Sequence, residues 1–148
     1  MIANTAARFT DLEGVAIGET VSISRSITAA AIDAFAELSG DDNPLHLSDS
    51  YAQSAGFPSR VSHGALLVAH LSNLLGTKFP GPGCLWLKQQ LQWRLPVFVG
   101  DVVEITATVK HKSLGTRTLL LSIEARNQTG ALVMNGEAMV AIPGGGIQ

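Results

Sequence analysis

Asp41 and His46 stand five residues apart in the stretch Ser39-Gly40-Asp41-Asp42-Asn43-Pro44-Leu45-His46. A carboxylate beside an imidazole is the commonest pairing for moving a proton or activating a water. Pro44 pushes Asn43 away from the helical region, so the backbone breaks between the two side chains. An unbroken helix would set them on different faces, whereas an Asx/Pro turn can fold both toward one small volume. Taken alone, Asp-Asn-Pro reads better as a helix end followed by a polar surface loop. The rest of the chain shifts that balance.

Two other histidines, His63 and His70, lie seven apart and with His46 suggest a metal. No His-Glu-x-x-His or Cys/His spacing accompanies them, and no metal is expected. His63 reads as a structural residue that bonds loop backbone near a helix start. His70 and His111 carry no functional reading. Cys84 is the single cysteine, which excludes an intramolecular disulfide and fits a reducing compartment. Its expected role is that of a small apolar packing residue.

Several elements must hold these residues. Val21, Ile23 and Ile27 alternate with polar residues in Glu19 to Thr28, which predicts a first strand. Thr28 then caps a helix from Ala29 to Leu38 with an apolar stripe of Ile32, Phe35 and Ala36, ended by Gly40. Beyond the turn, Ser48-Asp49-Ser50 can cap a short helix through Ala55, followed by the loop Gly56-Phe57-Pro58-Ser59. His63-Gly64 opens the most apolar helix, Ala65 to about Leu75, with leucine, valine and alanine on nearly all sides. It should be buried rather than amphipathic, and Gly76 should stop it.

The remainder alternates as strands. Leu85, Leu87, Gln89, Leu91, Trp93 and Leu95 share one face of the first; Val103, Ile105, Ala107 and Val109 one face of the next. Leu119, Leu121, Ile123 and Ala125 follow, then Leu132, Met134, Gly136, Ala138, Val140 and Ile142. Gly100-Asp101, Leu114-Gly115 and Thr129-Gly130 sit at hairpin spacing. Sequential antiparallel strands with one buried helix predict an α+β fold whose sheet curls around that helix. The Gly144-Gly145-Gly146 tail is expected to fray.

Size and composition bound the function. At 148 residues and 15.5 kDa the chain is expected to form one domain, 1–148, with a real core. Hydrophobic residues make up 46%, charged residues 15%, and mean hydropathy is +0.26, so some apolar surface is expected to meet another chain. A net charge of −2 and a pI near 6.0, without a basic cluster, argue against nucleic acid as a partner. No charged segment followed by an apolar run opens the sequence, so no signal peptide is expected, and Ala65 to Leu75 is too short for a bilayer span of roughly 20 residues. A cytoplasmic protein with no membrane partner is expected.

Several spaced motifs resemble one family. Ser39 to His46 is similar to the hydratase motif of the MaoC-like, (R)-specific enoyl-CoA hydratases, which have the hot-dog fold. Arg60-Val61-Ser62-His63-Gly64-Ala65-Leu66 resembles the way their central helix begins. Pro80-Gly81-Pro82-Gly83, Gln89, Trp93, Leu95-Pro96-Val97-Phe98-Val99-Gly100-Asp101 and Asn135-Gly136-Glu137-Ala138 follow in the family's order. The likeness covers roughly the whole chain and is greatest to the short, stand-alone form that feeds polyhydroxyalkanoate synthesis. One position departs: the family usually has Asp two residues after the motif His, where this chain has Ser48, an equally good helix cap.

The resemblance implies syn addition of water to a trans-2-enoyl-CoA, giving an (R)-3-hydroxyacyl-CoA, with no cofactor beyond the CoA thioester substrate. Asp41 and His46 would hold one water and shuttle its protons. Gly64 is the candidate oxyanion donor at the start of the helix, although glycine there could equally relieve crowding. Asn43 would orient the pair or, more simply, brace the turn; Asp42 would be exposed. Ser72 would join the network around the pair, or else bond back to its own helix. Leu66 and Leu75 could line an acyl tunnel or be plain core. Arg60, Lys78, Lys88 and Arg94 are candidates for CoA phosphates. The resemblance also implies a homodimer and leaves room for a higher assembly. A dehydratase acting on acyl carrier protein, a thioesterase of the same fold and a non-catalytic acyl-CoA-binding module are the alternatives. The acid-free central helix counts against the thioesterase.

Overall fold

The chain is described here by a computed structural model covering residues 11–144; of the glycine tail, Gly145 and Gly146 lie outside the described residues. Five strands form one antiparallel sheet in the order β1-β3-β4-β5-β2. They are β1 (Thr20–Ser26), β2 (Leu85–Trp93), β3 (Val102–Ser113), β4 (Thr118–Arg126) and β5 (Leu132–Ala141). Four helices stand between β1 and β2: α1 (Ala29–Ser39), α2 (Pro44–Leu47), α3 (Asp49–Ser54) and α4 (Gly64–Asn73). The buried alternates of β3 and β4 are the predicted ones, Val103, Ile105, Ala107 and Val109 facing Leu119, Leu121, Ile123 and Ala125. They share one core with Leu66, Leu67, Leu71, Leu74 and Leu75 from the central helix.

Capping residues act where the sequence places them. Thr28 Oγ1 accepts the Ala31 N–H at 3.0 Å, and Gly40, at φ +76°, closes α1 with its N–H on the Ala36 carbonyl at 2.9 Å. Ser48 Oγ accepts the Tyr51 N–H at 3.2 Å, so the serine caps α3.

Two expectations for the middle of the chain are corrected. Gly76 does not stop the central helix, which continues from α4 through a π-helical turn, Leu74–Lys78. Phe79 stops it, extended at φ −159° and ψ 125° because Pro80 follows. Nor is the helix buried all round. Ala65, Ala69, Ser72 and Gly76 fall at helical spacing on an exposed stripe. Alanine counts as apolar in sequence, but here Ala65 and Ala69 join Ser72 and Gly76 in a bare face of small residues.

β2 also departs from its alternation. A bulge between Trp86 and Lys88 shifts the register against β5, so Trp86 and, beyond it, Gln89 and Leu91 turn inward. Leu85, Leu87 and Trp93 are left exposed. The same pairing explains Gly136 in β5: a Cβ there would lie 1.9 Å from the Gln90 carbonyl oxygen.

Candidate active site

The turn after α1 is built from its own side chains. Ser39 Oγ accepts the Asp41 N–H, Asp41 Oδ1 the Asn43 N–H, and Asn43 Oδ1 the Leu45 N–H at 3.0 Å. Asn43 is thereby the N-cap of α2, with Pro44 at the first helical position, where its missing N–H costs nothing. Asn43 braces the turn, and Asp42 is exposed.

This single helical turn delivers His46 beneath Asp41. His46 Nε2 stands 3.8 Å from Asp41 Oδ2. That is too long for a direct hydrogen bond and suits a bridging water. The His46 side chain is 13% exposed and the Asp41 side chain 52%.

His46 is clamped on three sides. Its Nδ1–H donates to the Val61 carbonyl at 2.6 Å, while the Val61 N–H donates to the Leu45 carbonyl at 3.1 Å. A carbonyl can only accept, so Nε2 carries the lone pair that faces Asp41. Arg60 holds the backbone: its Nε donates to the His46 carbonyl at 2.6 Å, and its Nη2 pairs with Asp33 of α1. That guanidinium is therefore occupied in the fold rather than offered to a phosphate. The third clamp is His63, buried and stacked on His46 with ring centroids 3.8 Å apart. Its Nε2–H donates to the Asp41 main-chain carbonyl at 2.9 Å, the loop contact its position suggested. Its Nδ1 is buried without a partner among the described residues.

Asp41, His46 and His63 bring one potential metal-ligand atom each within 4.8 Å of one another. The sequence spacing gave no sign of this convergence. His63 commits Nε2–H as a donor to Asp41, so that nitrogen has no lone pair for a metal.

Gly64 begins α4 immediately after His63. His63 occupies the N-cap without supplying a side-chain cap, and the first N–H groups of a helix have no intrahelical acceptor. Trp93 of β2 lies against this point: a Cβ on Gly64 would stand 2.6 Å from Trp93 Nε1. Glycine is thus required by crowding, and the first N–H groups of α4 lie beside it. A cleft of about 320 Å³ opens here, with Gly64, His63 and Trp93 meeting Leu67, Pro96 and Val97. Neither Asp41 nor His46 lines it; His63 joins the two regions. Beyond the cleft, Asp101 ties the turn that follows Val97, its Oδ2 accepting the Phe98 N–H at 2.9 Å and its Oδ1 the Gln128 amide at 2.8 Å.

The remaining candidates separate. Leu66 and Leu75 are buried in the core and do not line the cleft, whose helix wall is Leu67. Ser72 sits on the exposed stripe of α4 and bonds neither to Asp41 or His46 nor back to its own helix. Arg94 lines the cleft and donates through Nε to Asn135 Oδ1 at 2.8 Å; Lys78 and Lys88 are exposed. His70 Nε2 is buried without a partner among the described residues, and burial, reinforced by the charge of Arg25, lowers its pKa below 6.5. Burial raises the pKa of Cys84, whose Sγ–H reaches the Leu75 carbonyl, consistent with a packing residue. Leu67 and the clamping role of Arg60 went unread in the sequence. A buried leucine and a loop arginine carry no signal there that separates them from their neighbours.

Known proteins resemble the chain in sequence and in fold. The chain is 40% identical over 135 residues to an (R)-specific enoyl-CoA hydratase of Aeromonas caviae, covering 88% of this chain and 98% of that protein. It is 36% identical to a 3-hydroxybutyryl-CoA dehydratase of Methylorubrum extorquens, covering 91% and 83%. The solved structure of the A. caviae (R)-hydratase involved in PHA biosynthesis superposes with a TM-score of 0.85 at 38% identity, over 88% of this chain and 99% of that one. The α+β architecture, a five-stranded antiparallel sheet around a central helix, is accordingly the hot-dog fold. Residues 13–128 match the MaoC-like domain, and the chain belongs to that family.

Proposed function

We propose that this protein is an (R)-specific enoyl-CoA hydratase, a hydro-lyase that adds water to a trans-2-enoyl-CoA and runs the reverse dehydration. The observation that carries the reading is the 3.8 Å gap between His46 Nε2 and Asp41 Oδ2, joined through His63 to the donor-rich start of α4. A water held in that gap gives one hydrogen bond to the imidazole lone pair and one to the carboxylate. As its oxygen bonds to C3, His46 Nε2 takes the proton and the C2=C3 electron pair moves toward the thioester carbonyl. Gly64 N–H stabilises the enolate oxygen. The proton then passes from His46 to C2 on the same face, and the carbonyl re-forms. Positioned acid–base groups contribute about 10²–10⁴-fold to such a step. By microscopic reversibility the same groups serve dehydration, the direction named for the M. extorquens relative.

Hydration leaves the oxidation state unchanged overall, so the reaction calls for no redox cofactor, and the acid–base pair with its carbonyl donor calls for no metal. Acyl-CoA is the proposed substrate. We further propose a homodimer, with higher assemblies built from it. β2 is an edge of the sheet and exposes Leu85 and Leu87. Leu87 shares a shallow depression with Val68 of α4, so the strand edge and the small-residue stripe are continuous. Among the described residues no helix is long and apolar enough to cross a membrane, and the cytoplasm is the proposed location.

Crotonyl-CoA and purified protein test the reading. Loss of the enoyl-thioester absorbance without free thiol, giving the (R)-alcohol, is the expected result. Release of free CoA would make the protein a thioesterase. Binding without turnover, with carrier-protein substrates also inert, would make it a non-catalytic module.

A further inference from the structure

β2 carries both tryptophans of the chain, and their indole N–H groups meet different fates. Trp86 is turned toward the core and donates to Gln89 Oε1 at 3.0 Å. Trp93 is 53% exposed, lines the cleft, and its N–H has no acceptor among the described residues. Indole nitrogen is a donor only. The orientation of the ring is specific: measured from the position of a Gly64 Cβ, Nε1 is nearest at 2.6 Å, then Cε2 at 2.9 Å and Cδ1 at 3.1 Å. The pyrrole edge, not the carbocycle, is laid on the start of α4. A ring serving only as an apolar cover has no reason to turn that edge toward a backbone already rich in N–H groups.

We infer that Trp93 is a second donor to the substrate carbonyl, its indole N–H acting with Gly64 N–H on the thioester oxygen as enolate character develops. The inference rests on the hydratase reading above and assigns that site a catalytic side chain. The buried Leu67 and Val97 line the cleft beside this point, and a donor is worth most where the surroundings are apolar. Trp93 also explains why position 64 tolerates nothing larger than glycine: any Cβ would displace the donor.

The test replaces Trp93 with β-(3-benzothienyl)alanine, which keeps the ring's shape and removes the N–H, beside Trp93→Phe. Melting temperature, kcat and KM for crotonyl-CoA are read together with the absorption of a bound 2,4-dienoyl-CoA, whose band moves to longer wavelength as its carbonyl is polarised. The expected result for both variants is a kcat loss on the order of 10²-fold, little change in KM or melting temperature, and a reduced band shift. Parental kcat and an undiminished shift in the isostere would overturn the assignment. So would a loss seen in Trp93→Phe alone, since that loss would belong to ring shape. If the parent protein itself does not hydrate enoyl-CoA, the hydratase reading fails first, and the variants are not needed to show it.

Discussion

Asn43 links the backbone of the turn to the chemistry above it. Its Oδ1 caps α2, the single turn on which His46 rides. Asn43→Ala should cost about 1 kcal/mol of stability, the usual loss for an N-cap, and lower kcat by loosening His46. Asn43→Asp keeps the capping oxygen and should restore most of both, as thermal melts and steady-state rates would show. At Gly64, Ala would place a Cβ 2.6 Å from Trp93 Nε1 and force the indole aside. We expect that variant to lose most turnover and to shift the Trp93 fluorescence; unaltered emission with full activity would contradict the packing described. The pair itself was legible because Pro44 constrains the backbone between Asp41 and His46. The clamps were not: Arg60 and the Val61 carbonyl act through backbone contacts that no residue type announces.

At the scale of elements, sequence reading succeeded where one face is buried and failed where burial depends on another surface. β3 and β4 alternate cleanly because each turns one face to the core and one away. β2 misled because the bulge after Trp86 changes which residues face inward, and a bulge leaves no mark in a run of Leu, Lys and Gln. The central helix misled because Ala65 and Ala69 look apolar, yet line up with Ser72 and Gly76 on its bare side. The proposed dimer explains such a stripe, since small residues let a neighbouring surface approach closely. Ala69→Glu should therefore yield a monomer of lowered thermal stability in sedimentation experiments. A dimer as strong as the parent's would place the interface elsewhere.

For the whole molecule, His70 supplies a pH dependence separate from catalysis. Its pKa is lowered from 6.5 in the folded chain by burial and by Arg25. Below pH 6.5 the unfolded chain therefore takes up a proton that the folded one resists, and stability falls with further acidification until the folded pKa is passed. His70→Gln should flatten that part of the melting-temperature profile, while the parent's profile above pH 6.5 should show no slope from this residue. The α+β class was readable from the strand alternation, but the sheet order was not: Gly100-Asp101 closes no hairpin, because β2 pairs with β5 and β3 with β1. Nor was the cleft, because it forms only when β2, the loop at Pro96 and the start of α4 meet across a long stretch of sequence.

The most direct measurement compares Asp41→Asn and His46→Ala with the parent, each for crotonyl-CoA hydration and for thermal melting in the same buffer. A pair that shares one water predicts a kcat loss of about 10²–10⁴-fold in each variant with nearly unchanged melting temperatures. Variants that keep parental turnover, or that simply unfold, would show that Asp41 and His46 hold the turn together rather than carry the reaction.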